Sequence, residues 1–242
     1  MENKRKSQIA IIAVLAVAVV ALGVGFAAFS TALTITSNAT VTPDSNTFRV
    51  VFANSSDVIT TGTTITPTLN PSNVNDFTAG TATIDNDTNQ RAPILSGLQA
   101  NFTAPGQTVT YTLKVKNTGE YDAYLNSIDF KTISGVANTA KKTCTANLDS
   151  NDKALATQTY VDEACGLISL SIQVQGQSAS DTTVKASGEG IKLAKGASDT
   201  VVVTITYAEP AANAQTAGTY GRADGPFTVA FGDIQLNYST VQ

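Results

Sequence analysis

The sequence contains no histidine and no tryptophan. Without histidine no Ser-His-Asp or Cys-His nucleophile can be assembled, and no zincin-type helix with paired histidines can exist. Cysteine is reduced to Cys144 and Cys165, and a metal half-site on that pair has no histidine to complete it. Charge is sparse, at 14% of residues, and Lys141-Lys142 is the one adjacent basic pair beyond the amino terminus. Nucleic acids and anionic surfaces are read by clustered Lys and Arg, so nucleic-acid binding is disfavoured. Glu120, Glu163, Glu189 and Glu209 are the glutamates that follow the first apolar segment. Nothing marks two of them as the spaced pair that glycosidic chemistry needs. The sequence therefore points to no enzyme, no cofactor and no catalytic constellation. What remains is length: 242 residues are ample for one large all-β domain or two small ones.

The amino terminus carries Lys4, Arg5 and Lys6 against Glu2, which leaves the rest of the chain more acidic than the overall net charge of −4. From Ile9 to Phe29 the chain then runs without a charge, rich in Ala, Val, Ile and Leu. A basic flank, an apolar stretch and small residues at its end form an export signal, and about 20 such residues also suffice to span a ~30 Å hydrocarbon core. Residues 1–27 therefore read as a signal peptide or a membrane-spanning helix. Cleavage after Gly25-Phe26-Ala27 releases a chain that begins at Ala28. Ser30-Thr31-Ala32 is a second acceptable junction, and a class III leader cut after Ser7 would keep the apolar helix for pilin-like packing. In each case the basic flank stays inside and residues 28–242 are exported to the cell surface or beyond.

The exported body reads as strands. From Thr108 to Lys116, Val109, Tyr111, Leu113 and Val115 share one face while Thr and Lys occupy the other. That alternation marks a half-buried antiparallel strand. It recurs at Ile168, Leu170, Ile172 and Val174, and at Val201, Val203, Ile205 and Tyr207. Phe227, Val229 and Phe231 form another set, continued by Ile234, Leu236 and Tyr238 after Gly232-Asp233, where the change of phase reads as a bulge. Weaker strands are placed at Leu33–Val41, Thr47–Phe52, Leu98–Phe102 and Tyr124–Phe130. Pro105-Gly106 suits a type II turn and Asn117-Thr118-Gly119 another break. Such a series predicts an all-β, antiparallel sandwich, jelly-roll-like, preceded by the apolar helix. The Thr-rich stretch from Asp57 to Arg91 is poorly patterned and reads as a decorated excursion or a partly disordered one.

Outside the cell, Cys144 and Cys165 read as one disulfide pinning the base of a polar insertion, with a short helix at Tyr160–Ala164. Asp85-Asn86-Asp87-Thr88-Asn89 opens like a calcium loop but lacks the glycine and the distal acid that such loops use. Asp149-Ser150-Asn151-Asp152 is a weaker version of the same pattern. Asn38, Asn54, Asn86, Asn101 and Asn237 begin glycosylation sequons, relevant only in a host that modifies exported asparagine.

Gly25-Phe26-Ala27-Ala28-Phe29-Ser30 resembles the signal-peptide junction of TasA and camelysin-type proteins. Ala104-Pro105-Gly106-Gln107, the following Tyr111 to Lys116 strand and Asn117-Thr118-Gly119 are similar to that family's Pro-Gly turn, strand and Asn-x-Gly sequence, in the same order. The resemblance implies a secreted jelly-roll-like subunit of extracellular or biofilm-matrix fibres. It also implies that the segment after the cleavage site donates a strand to the next subunit. Here that segment is Ala28 to Val41, with Leu33, Ile35 and Val41 facing inward, an instance of β-augmentation. The expected partners are thus further copies or other surface proteins, and the membrane through residues 9–29 before or without cleavage. The alternatives are a membrane-anchored adhesin and a pilin-like subunit.

Overall fold

Why particular residues form strands is visible in a computed structural model, which describes residues 47–86, 91–133, 140–180, 191–210 and 222–240. All of these belong to one compact unit, Pro43–Gln242. The apolar segment 9–29, the junction Ala27-Ala28 and the strand candidates Leu33, Ile35 and Val41 lie outside the described residues. Among the described residues no helix is long and apolar enough to cross a membrane.

In chain order the first strands are β1 (Val50–Ala53), β2 (Thr64–Ile65), β3 (Thr68–Asn70), β4 (Thr78–Ala79), β5 (Ala82–Asp85) and β6 (Ile94–Ser96). Next come β7 (Gln99–Phe102), β8 (Thr108–Asn117), β9 (Ala123–Phe130) and β10 (Lys142–Ala146). The helix α1 (Gln158–Cys165) precedes β11 (Ile168–Val174), β12 (Gln177–Ser180) and β13 (Ile191–Leu193). The chain closes through β14 (Ser198–Tyr207), β15 (Phe227–Phe231) and β16 (Ile234–Ser239).

These strands form three antiparallel sheets. Sheet I runs β1–β8–β14–β11–β12, with β3 beside β1 on the same edge of β8. Its centre is the pairing of the two longest strands, β8 and β14, from Thr108 opposite Thr206 to Lys116 opposite Ser198. Sheet II runs β10–β15–β7–β4, and sheet III runs β13–β9–β16–β6–β5–β2. The alternation read from the sequence holds residue by residue: Val109, Tyr111, Leu113 and Val115 are buried, as are Ile168 to Val174 on even numbers and Val201 to Tyr207 on odd ones. A period of two forces this outcome, because a one-residue slip would turn every apolar side chain to water.

The inward faces of all three sheets share one apolar cluster. Phe102 of sheet II meets Tyr207 of sheet I edge-on at 5.7 Å between ring centroids, and Tyr207 meets Phe227 at 5.5 Å. Tyr111 crosses the same layer, donating its hydroxyl to the carbonyl oxygens of Gly80 at 2.8 Å and Gln99 at 3.1 Å. Burial pushes that phenol up to about 12, so it remains a neutral donor. Tyr238 ties sheet III to the β11–β12 turn of sheet I by donating to Gln175 Oε1 at 2.8 Å.

Two expectations change. Gly232-Asp233 is no bulge inside a strand: β15 ends in sheet II, and β16 begins in sheet III, so the pair is a corner between sheets. The phase change is real, but its cause is a change of sheet. The stretch from Asp57 to Arg91 is more than an excursion. Its short strands supply β2 and β5 to sheet III, β3 to sheet I and β4 to sheet II, and it buries Ile65, Phe77, Ala82 and Ile84.

Candidate functional site

Two of the sequence blocks that carried the family resemblance are turns held by buried side chains; the junction at residues 25–30 lies outside the described residues. In Ala104-Pro105-Gly106-Gln107, Gln107 is only 2% exposed. Its Oε1 accepts from the backbone nitrogens of Thr103 at 2.8 Å and Ala104 at 3.1 Å, while its Nε2 donates to Thr103 Oγ1 at 2.7 Å. Gly106 takes φ +83°, the left-handed conformation that the third position of a type II turn requires. Asn117 is fully buried and fully bonded: its amide donates to the Tyr121 and Leu193 carbonyls, and its Oδ1 accepts from Gly119 N at 3.0 Å. Gly119 lies against the chain at residues 47–49, where a Cβ would stand 2.6 Å from Arg49 N. No other residue fits that approach. These motif residues organise the fold.

The chemistry-bearing surface lies around the cysteines. Cys144 sits in the middle of β10 and Cys165 ends α1; the two are bonded, with Cα atoms 5.9 Å apart. Between them the chain forms a hairpin closed by a bridge between Leu148 and Ala154, and the helix starts four residues after Ala154. The acidic cluster read as a weak calcium loop builds this hairpin's turn. Asp149 Oδ1 accepts the backbone N–H groups of Asn151 at 2.8 Å and Lys153 at 3.0 Å. Those bonds, from Lys153 first, hold the Asp149 carboxyl below its usual range.

The helix observed is longer by a few residues than the expected Tyr160–Ala164 and buries Val161 and Ala164. Its first residues are capped from another part of the chain. Asp224 accepts from Thr157 Oγ1 and Thr157 N, both at 2.7 Å, and these bonds depress the Asp224 carboxyl. A carboxylate at a helix amino terminus also complements the helix dipole. Gln158 then turns back to the free edge of β10, donating to the Cys144 carbonyl and accepting from Ala146 N, each at 3.1 Å. That edge strand is thereby shielded from further pairing.

Beside the hairpin a cleft of about 340 Å³ opens on the outward face of sheet II. Register builds its floor. Thr78 of β4 stands opposite Asn101 of β7, which stands opposite Thr228 of β15, so three polar side chains form one cross-strand row. The hairpin forms the wall with Asn147 and Leu148. Asn147 locks wall to floor, donating to Asn101 Oδ1 and accepting from Thr228 Oγ1 at 2.8 Å. Gln99 and Gly80 complete the rim. None of the lining residues is charged.

The second calcium-like pattern is explained in part by packing. Asn86 accepts from Phe52 N at 2.7 Å and donates to Phe52 O at 3.2 Å, clamping β1, while Asp87 to Asn89 fall outside the described residues. Among the described residues no group of three or more His, Cys, Asp or Glu side chains gathers to hold a metal. Sequence reasoning missed the cleft altogether, because its residues come from β4, β7, β15 and the hairpin and only strand register brings them together. Compared with models of protein families, with characterised proteins and with solved structures, the chain matches none.

Proposed function

We propose that this chain is an exported, non-enzymatic structural protein of the cell surface or extracellular matrix, a TasA-like fibre subunit with a jelly-roll-like body. The observation that carries the reading is the Cys144–Cys165 bond, set in an all-β body that follows an apolar segment with a basic flank. Disulfides persist where the surroundings oxidise, outside the cytosol. Residues 28–41 donate a strand to a neighbouring copy, with Leu33, Ile35 and Val41 filling alternate inward positions and main-chain bonds providing affinity. Cleavage between Ala27 and Ala28 frees that strand.

Two measurements test this. Mass spectrometry of the mature amino terminus should find a start at Ala28; a retained Met1 would replace the subunit by an anchored surface protein, and a start at Gln8 by a pilin-like one. Electron microscopy of the mature protein should show fibres that vanish when residues 28–41 are deleted. Equal fibres from the truncated form would end the donor-strand reading. The second reading, an anchored binding module, is favoured by the uncharged cleft on sheet II.

A further inference from the structure

The cleft on sheet II has a chemistry specific enough to name its ligand class, independently of how the amino terminus is processed. We infer that it binds a neutral saccharide, with Thr78, Gln99 and Thr228 contacting hydroxyl groups and Leu148 packing against a C–H face. Four observations carry this.

First, its size, about 340 Å³, lies at the lower end of the ~300–1,000 Å³ range of small-molecule sites. That volume suits a short stretch of a sugar chain rather than a folded partner. Second, the lining carries no charge. An anion would find no Lys or Arg there, and a cation would find no carboxylate.

Third, the side chains that do line it are hydroxyls and primary amides, which both donate and accept. Vicinal sugar hydroxyls need that duality. The site is also divided between locked and free groups. Asn101 and Asn147 are bonded to each other, Asn101 also donates to the Asp76 carbonyl at 2.5 Å, and Thr228 donates to Asn147. Among the described residues Thr78 and Gln99 find no side-chain hydrogen-bond partner, and both are exposed, so their donors and acceptors are available to a ligand. The locked pair holds the free pair in place, and less ordering entropy is then lost on binding.

Fourth, Leu148 is 57% exposed at the mouth, an apolar side chain held out by a hairpin whose base is fixed by the disulfide. An exposed leucine alone is ordinary. Held beside the Thr78 and Gln99 side chains, it offers the apolar contact that complements the C–H side of a pyranose ring. The Asp149 turn and the Asp224-capped helix keep it there.

The test uses the full-length protein in detergent and calorimetric titration with three probes: a neutral β-1,4-linked glucose oligomer, a neutral N-acetylglucosamine oligomer and an oligomer of uronic acid. One of the neutral probes should bind. Thr78→Val with Gln99→Leu, both at exposed positions without internal bonds, should weaken that binding roughly tenfold or more while leaving the thermal unfolding midpoint in place. Leu148→Ser, tested alone, should also weaken it. Silence with both neutral probes at millimolar concentration, tighter binding of the uronate, or full affinity in both variants would each overturn the assignment.

Discussion

At the scale of single residues, the polar groups divide by whether their bonds are complete. Asn117 is complete: three bonds satisfied with no exposure. Asn117→Ala removes the donor to the buried Leu193 carbonyl and to the part-buried Tyr121 carbonyl, leaving Gly119 N with Arg49 O alone, and should destabilise the fold by roughly 2–3 kcal/mol in a urea melt. Its neighbour is the opposite case, since the Thr118 hydroxyl is buried with no partner among the described residues. Thr118→Val keeps the shape and removes the unpaired oxygen, so it should be neutral or raise stability by about 1 kcal/mol. A loss in that variant would mean the hydroxyl does bond in solution. The carboxylates give a pH dependence of known sign. Asp224 and Asp149 have folded pKa values depressed by hydrogen bonds, from Thr157 and from Lys153 and Asn151 respectively. Their stabilising contribution is therefore present above the unfolded carboxyl pKa of about 3.9 and is lost as pH falls through the lower folded values. Asp233 works the other way, since burial and then the nearby Asp85 raise it, and protonation relieves the folded state. Asp149 holds the turn of the hairpin and Asp224 the start of α1, so amide exchange there should accelerate below about pH 4 before the central strands of sheet I do. Uniform acceleration would contradict that assignment. Among the described sequons, Asn86, Asn101 and Asn237 commit their side-chain nitrogens to bonds, whereas Asn54 uses only its oxygen.

At the scale of elements, legibility in the sequence follows strand length. β8, β11 and β14 are seven to ten residues long and alternate cleanly, so their existence, faces and core residues were all readable. β2 and β4 have two residues each, too few to show any period, and each contributes at most one buried side chain. β10, with the sequence KTCTA, is an edge strand covered by α1 and has no apolar face to advertise itself. The cysteines were readable as a pair, but not that one of them sits mid-strand. Placing the bond there makes the insertion part of the structure instead of an appendage. Cys144→Ser with Cys165→Ser should cost roughly 3 kcal/mol on the chain-entropy account, given a sequence separation of 21. The same double variant frees the wall of the cleft, so Leu148 and Asn147 should show larger amide-exchange rates than Thr78 or Thr228 on the floor. Equal rates at wall and floor would show that the Asn147 bonds, not the disulfide, position the hairpin.

At the scale of the whole molecule, the fold is organised by contacts between distant parts of the chain. β1 pairs with β8, β8 with β14, and β15 with β7, so every central pairing closes a long loop before it is rewarded. The stretch from Asp57 to Arg91 binds this arrangement together, because it places a strand in each of the three sheets. Sheets that share one apolar cluster, cross-linked by Tyr111 and Tyr238, should not unfold separately. Leu113→Ala offers a direct test: it removes a fully buried side chain from the middle of β8 in sheet I and should destabilise by about 2–5 kcal/mol. If the body is one cooperative unit, that loss lowers a single transition, and Tyr238 in sheet III and Phe227 in sheet II report it at the same midpoint. Should sheet III keep its own midpoint while sheet I melts early, the Tyr238–Gln175 link would be too weak to couple the layers.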